Sequence, residues 1–309
     1  MKRLNALLLV LLAVVALPGC EKIERTVFDA EMGIERSMNG LETGTTTVDD
    51  IQWVYLKNEW KAGQPVVVLL HGFSADKSNW PRFVGALGDG YNVLVPDLPG
   101  HGESTRDPKL AYDIDTQARR LLSLMTALGV EKFHLAGNSM GGAITARAAW
   151  LAPGRVITLG LINSAGVHKH PSEFDAQLKD GNNPLIVSKP GDMATVIAWA
   201  MAEPPFMPWP VLSVMEREGI ARAELNRKIF SDLRRDNGID QSAVLPEIAA
   251  PALVLWGDKD RLLNVANAAE FTALMPDARA VVMAGIGHAP MLEDPAESAR
   301  IYREFLAGR

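Results

Sequence analysis

The stretch Phe133–Gly142, FHLAGNSMGG, constrains this chain more than any other, because it sets a serine between glycines where an apolar run gives way to a helix-forming one. Lys132–Ala136 alternates and is apolar enough for a buried strand, and Ala143–Trp150 (AITARAAW) is rich in alanine and favours helix, so Ser139 falls at a strand-to-helix corner. A turn that sharp holds the serine in a strained backbone conformation, and side chains at Gly137 and Gly141 would collide with the adjoining strand and helix. The hydroxyl then stands clear of the sheet, beside the positive end of a helix and the backbone N–H of Met140. That is the setting in which G-x-S-x-G presents a nucleophile. A glycine-rich turn whose serine merely caps the helix has the same letters, so the partners of Ser139 decide between the two.

At 309 residues the chain has room for one large α/β domain with an insertion. Its formal charge of -6 and the absence of any Lys/Arg run beyond short pairs argue against a nucleic-acid partner. Residues 1–19 read as an export signal. Lys2 and Arg3 precede an apolar segment, Leu4–Leu17, that is broken only by Asn5 and is short for a permanent span. Leu17-Pro18-Gly19-Cys20 follows, with Cys20 the only cysteine of the chain. This resembles the lipobox of bacterial lipoproteins, with Pro18 where a small residue is usual, and implies that Cys20 becomes the lipidated first residue. An exported protein with one thiol forms no internal disulfide, and lipidation would consume that thiol. Removal of residues 1–19 leaves 29 basic residues against 37 acidic, a charge of -8, so acyl chains rather than attraction to anionic headgroups would supply the anchor. The implied location is a bacterial cell envelope, on its periplasmic or outer-membrane face.

Ile23, Val27, Ala30, Ile34, Met38 and Leu41 recur at helical spacing, which predicts an amphipathic helix from Cys20 to about Gly40 docked on the domain. Gly44 and a threonine run then read as a tether to a strand at Gln52–Lys57. Pro65–Leu70 and Asn92–Pro96 are continuous apolar runs, the mark of strands buried on both faces of a parallel sheet, and end in His71-Gly72-Phe73 and Asp97-Leu98-Pro99-Gly100-His101-Gly102. Asp113 caps a helix that Gly129 stops, Val156–Ile162 is another buried strand, and Ala252–Gly257 and Arg279–Met283 complete the sheet around a helix at Asn264–Met275. Asp294, Pro295 and Glu297 stand at N-cap, N1 and N3 of a closing helix, a capping-box arrangement. Strands alternating with helices, each closing on a glycine-rich loop, predict a mostly parallel, doubly wound α/β sheet with its site at the carboxyl ends. Between Val167 and about Leu245 no apolar strand occurs, proline clusters in EPPFMPWP at residues 203–210, and helical segments recur at Met193–Met201 and Ala223–Leu233. The expected division is signal peptide 1–19, N-terminal helix and tether 20–50, core 51–166, helical cap 167–245 and core again 246–309.

A serine hydroxyl needs a base to take its proton, and the base needs a carboxylate to fix its tautomer. Among six histidines, His288 in the loop after the last strand can reach over the sheet to Ser139. His71 and His101, in glycine-rich loops, read as loop-shaping, His134 as a satisfied core group, and His168 and His170 as solvated. Asp258 and Asp260 both follow the strand ending at Gly257, and the order Ser139, Asp260, His288 is that of the α/β-hydrolase triad. Together His71-Gly72-Phe73-Ser74-Ala75, Gly137–Gly142, Trp256-Gly257-Asp258-Lys259-Asp260 and Gly287-His288 resemble the α/β-hydrolase acylglycerol lipases, monoacylglycerol lipases among them, and related bacterial lipases, from about Ile51 to the C-terminus. The resemblance implies Asp260 as the acid with Asp258 shaping the turn, and the backbone N–H groups of Phe73 and Met140 as an oxyanion hole. It also implies a lipid-ester substrate and no cofactor, and no metal motif is visible. A carbon–carbon bond hydrolase of ring-cleavage products shares triad and cap, and a catalytically silent lipid-binding lipoprotein would share the fold. In the cap, Trp199, Phe206 and Trp209, with Met207, Val211, Leu212 and Met215, are dense enough in large apolar groups to predict an acyl-binding groove.

Overall fold

A computed structural model describes residues 20–307 and 309; the signal-peptide expectation, residues 1–19, lies outside them. Eight strands form one sheet in the order β1-β2-β4-β3-β5-β6-β7-β8: β1 (Glu42–Val48), β2 (Ile51–Lys57), β3 (Val66–Leu70), β4 (Asn92–Pro96), β5 (Phe133–Ser139), β6 (Val156–Ser164), β7 (Ala252–Gly257) and β8 (Ala278–Met283). Only β2 runs against its neighbours, pairing antiparallel with β1 and β4, and the rest are parallel. The threonine run expected to be tether is therefore β1, an edge strand paired residue by residue from Glu42↔Lys57 to Val48↔Ile51. Its polar side chains hid it, because an edge strand with an exposed face has no apolar run to show.

Strand side chains alternate between faces, and the continuous apolar runs feed two cores. Val68, Leu70, Phe133, Leu135, Val254 and Trp256 point to one, shared with α3 (Ile114–Ala127), α4 (Met140–Leu151) and α9 (Asn267–Leu274). Val67, Leu69, Val93, Val95, Leu253 and Leu255 point to the other, under α2 (Pro81–Leu87), α10 (Pro290–Glu293) and α11 (Pro295–Leu306). Asp113 caps α3 by accepting the Thr116 N–H at 2.9 Å, and Gly129 follows that helix at φ +69°. Asp294 accepts the Glu297 N–H at 3.1 Å at the start of α11, but Glu297 pairs with Arg300 at 2.6 Å, so the expected capping box closes on one side only.

The insertion after β6 holds α5 (Glu173–Lys179), α6 (Asp192–Ala200), α7 (Val211–Ala221) and α8 (Ala223–Arg234). The N-terminal helix, α1 (Cys20–Met38), docks on α2 and α7. Glu24 pairs with Arg217 at 2.5 Å, Arg25 with Glu218, and Glu35 with Arg82 at 2.5 Å, so charged pairs join it to both cap and core. Most of the apolar stripe expected to dock does not: Ile23, Ile34 and Met38 are 48%, 59% and 82% exposed, whereas Leu41, beyond the helix end, is buried, and Phe28 and Met32, one register over, turn inward. No described helix is long and apolar enough to cross a membrane.

Candidate functional site

Ser139 closes β5 at φ +55°, ψ -118°, and α4 begins at the next residue, Met140. The glycines around it are dictated by close approach. A Cβ on Gly141 would lie 2.6 Å from the Leu70 carbonyl oxygen and 2.7 Å from that of His71, and one on Gly137 would strike the backbone of Gly141. As the first residue of α4, Met140 has an N–H with no partner inside its own helix. Phe73 lines the cavity that holds Ser139.

The carboxyl end of β7 and the loop after β8 supply the other groups. His288 Nδ1 donates to Asp260 Oδ2 at 2.8 Å, with the two side chains 7% and 0% exposed. Asp260 is further held by the N–H groups of Leu262 at 2.8 Å and Leu263 at 3.0 Å on Oδ1, and by Asn163 Nδ2 at 2.6 Å on Oδ2. A carboxylate that accepts this many bonds stays oriented, and because it accepts Nδ1–H it leaves the lone pair of the neutral ring on Nε2. Asp258 points elsewhere, accepting the Gly285 N–H at 2.7 Å. His288 and Ser139 line the same cavity.

Three residues that the sequence reading did not single out hold this arrangement. Asn163, at φ +42° beyond the end of the apolar run in β6, donates to Asp260 and to the Gly287 carbonyl and accepts the Gly257 N–H at 3.2 Å. Asn138 Nδ2 bridges the carbonyls of Ile162 at 3.1 Å and His288 at 2.9 Å. Glu293 accepts the N–H groups of Gly287, Ala289, Ala202 and Glu203, tying the His288 loop to the end of the cap helix α6. A polar residue just past an apolar run was the available signal for Asn163; nothing local marks Glu293.

The loop after β3 is bolted from behind. His71 accepts the Leu98 N–H on Nε2 at 3.0 Å, so Nδ1 carries the proton and donates to the Gly72 carbonyl at 2.8 Å. That carbonyl belongs to the peptide whose N–H is Phe73, so the imidazole sets the direction in which the Phe73 N–H points. Burial keeps His71 neutral by pushing its pKa down. Asp97 receives the backbone N–H of Lys77 at 2.8 Å, its Nζ at 2.7 Å and the Glu103 N–H at 2.7 Å, joining this loop to the one after β4. Burial opposes charge on Lys77, yet Asp97 and Asp76 hold its ammonium pKa above the usual value. His101 is buried and neutral, its pKa lowered to about 3 by burial and by His71. His134 bonds Thr158 at 2.9 Å inside the sheet. His170 meets Glu270 at 3.0 Å, and His168 is not solvated: its Nε2 is buried without a partner among the described residues.

The cavity over Ser139 has a volume of about 250 Å³. Its walls are mainly apolar: Val187, Val196, Ile197, Met207, Val211 and Met215 from the cap, Leu292 from the core, and Phe28 and Met32 from α1. Phe206 stands at its margin, 83% exposed. Trp199 and Trp209 are not among its lining. Trp199 stacks under the Arg261 guanidinium at 4.1 Å, and Trp209 is 51% exposed. Trp199 and Trp209 thus stand outside the cavity wall, and the cap contributes to that wall mainly through β-branched residues and methionines, with Phe206 at the rim.

A sequence profile described as alpha/beta hydrolase family matches residues 67–301. Lipase 3 of Moraxella sp. (strain TA144) is 33% identical over 278 residues, covering 89% of this chain and 87% of that protein. Monoacylglycerol lipase abhd6-B of Xenopus laevis is 28% identical over 281 residues, covering 87% and 83%. Among solved structures, one described as a membrane phospholipase A and bacterial virulence factor superposes with a TM-score of 0.91 at 38% identity, covering 100% of this chain and 99% of that one. A serine raised on a glycine-bounded corner, a histidine–aspartate pair on the neighbouring loops and a sheet of this order agree with that profile: the chain belongs to the alpha/beta hydrolase family.

Proposed function

We propose that this protein is a serine hydrolase that cleaves carboxylic esters of lipids, of the acylglycerol-lipase type, through an acyl-enzyme on Ser139. The observation that carries the reading is the buried His288–Asp260 pair, 2.8 Å apart, on loops beside the cavity that holds Ser139. Its apolar walls, and relatives described as lipases, support a fatty acyl ester over a polar one. In this proposal His288 Nε2 takes the Ser139 proton as Oγ attacks the ester carbonyl, and the N–H groups of Met140 and Phe73 donate to the developing oxyanion. Collapse of the intermediate expels the alcohol, which receives that proton, and water, deprotonated by His288, then releases the acid and restores Ser139.

Ser139→Ala should abolish labelling by a fluorophosphonate and lower ester turnover by at least roughly 10³-fold while the thermal melt stays close to wild type. Full activity in that variant would end the assignment. Turnover of a vinylogous diketone in place of octanoyl esters would instead identify a carbon–carbon bond hydrolase.

The proposal includes an anchor, with Cys20 lipidated after removal of residues 1–19 and the enzyme held at a membrane of the cell envelope. The apolar stretch that ends just before the chain's one cysteine supports it. Cys20→Ser should shift the protein to the soluble fraction and remove the lipid mass. An unchanged mass and membrane fraction would refute the anchor without touching the chemistry.

A further inference from the structure

Against the apolar cavity lies a second space of about 50 Å³, enough for on the order of three waters or a few heavy atoms of a ligand. The two share Ser74, Ala75, Asp76, Met193 and Met215 as a common wall. Beyond that wall the lining changes character to Gly100, His101, Gly102, Glu218, Arg222 and Asn226. His101 is 3% exposed. Its Nδ1 faces the Pro99 carbonyl at 3.4 Å, which can only accept, so Nδ1 carries the proton and Nε2 offers a lone pair. That Nε2 is buried with no partner among the described residues. A buried acceptor left unmatched keeps its desolvation penalty, which a hydroxyl donor arriving there would offset.

The other groups ask for the same kind of ligand. Ser74 Oγ accepts from Asn226 Nδ2 at 3.1 Å, which leaves its own O–H to donate. Arg222 gives Nη2 to Glu218 at 2.7 Å and has further N–H groups, and Glu218, which also pairs with Arg25, has a second lone pair on each carboxylate oxygen. The lining offers both acceptors and donors, which suits hydroxyls, since each hydroxyl both gives and takes. Glu218 and Asp76 oppose an anion there, and an alkyl chain would leave His101 and Ser74 unsatisfied. The loop bearing Ser74 follows directly from Phe73, so the chamber adjoins the end of the cavity where the ester would react.

Resting on the ester-hydrolase reading above, we infer that this chamber is a subsite for the alcohol part of the substrate, a short polyol such as glycerol, with His101 Nε2 accepting one of its hydroxyls, while the acyl chain occupies the apolar cavity. The test compares 1-octanoylglycerol with propyl octanoate, which share the acyl chain and differ by two hydroxyls. The wild type should prefer the glyceryl ester in kcat/KM. His101→Phe keeps a ring against His71 and Phe73 and removes the acceptor, and should lower that preference about tenfold, mainly through KM of the glyceryl ester. His101→Gln, which restores an acceptor, should recover part of it, and Arg222→Met, at a half-buried residue of the same lining, should lower it independently if His101→Phe fails to fold. An unchanged ratio in both His101→Phe and Arg222→Met would overturn the subsite, the chamber then holding water alone. Equal loss on both esters would overturn it in favour of a loop-shaping role. A wild type that cleaves propyl octanoate without preferring the glyceryl ester refutes only the subsite, whereas one that cleaves neither ester refutes the hydrolase reading with it.

Discussion

Asp258 and Asp260 stand two residues apart after the same strand and do different physical work. Asp258 holds a turn through Gly285, whereas the Asp260 side chain is fully buried and takes four hydrogen bonds, one of them from His288. If that histidine is the base, Asp260→Asn should lower kcat by about 10²- to 10⁴-fold, because an amide in place of the carboxylate favours the wrong imidazole tautomer. Asp258→Asn keeps a side-chain oxygen for the Gly285 N–H and should change kcat by less than about threefold. Steady-state kinetics of the two variants decides the matter, and a reversed order would exchange their roles. The residue type and the chain order were legible in the residues themselves, whereas the choice of Asp260 over Asp258 came from the family resemblance and not from any local difference between the two. It depends on which of them meets Asn163, 97 positions away.

At the scale of elements, the cap and α1 shape the cavity more than its aromatic residues do. Val196 on α6 faces the cavity, while Trp209 at the edge of α7 does not. Val196→Trp should therefore shorten the acyl chains accepted, lowering kcat/KM for dodecanoyl esters relative to acetate by about tenfold or more, since each CH₂ kept out of an apolar site forfeits about 0.8 kcal/mol. Trp209→Ala should leave the chain-length profile nearly unchanged. Profiles with p-nitrophenyl esters of rising length test both, and a flat profile in wild type would show that the cavity does not hold the acyl chain. The apolar density of residues 199–215 was readable, and Phe206, Met207, Val211 and Met215 do line the cavity. Which side of each short helix turns inward was not readable, because apolar residues occur on more than one face.

For the molecule as a whole, burial of several neutral histidines makes acid a threat to the fold. His101 has its pKa lowered to about 3, and burial lowers those of His71, His134 and His168 as well. In the unfolded chain a histidine titrates near 6.5, so below that pH the unfolded state binds a proton that folded His101 refuses. The stability this group contributes is present above about pH 6.5 and is lost as pH falls toward 3, at roughly 1.4 kcal/mol per unit, or on the order of 3 kcal/mol by pH 4.5. The stability of His101→Phe, followed by urea unfolding, should fall less steeply than wild type between pH 6.5 and 4.5. Parallel curves would show that His101 is protonated in the fold.

The sequence by itself determined the sheet and the corner. Continuous apolar runs mark strands covered on both faces, and glycines on either side of Ser139 mark a backbone approach that no side chain survives; both are local signals. Only the tertiary structure decided the rest. The threonine-rich edge strand β1 is defined by its pairing with β2, not by its own side chains. The docked face of α1 is the one that carries Phe28 and Met32 to the cavity, flanked by ion pairs to Arg217, Glu218 and Arg82, and not the one that carries Ile34 and Met38. The polar chamber at His101 exists because the loop after β4 meets helices α7 and α8, more than a hundred residues away in the chain. Local signals report what a segment can bury, and which groups meet across the fold depends on the long-range packing that buries them.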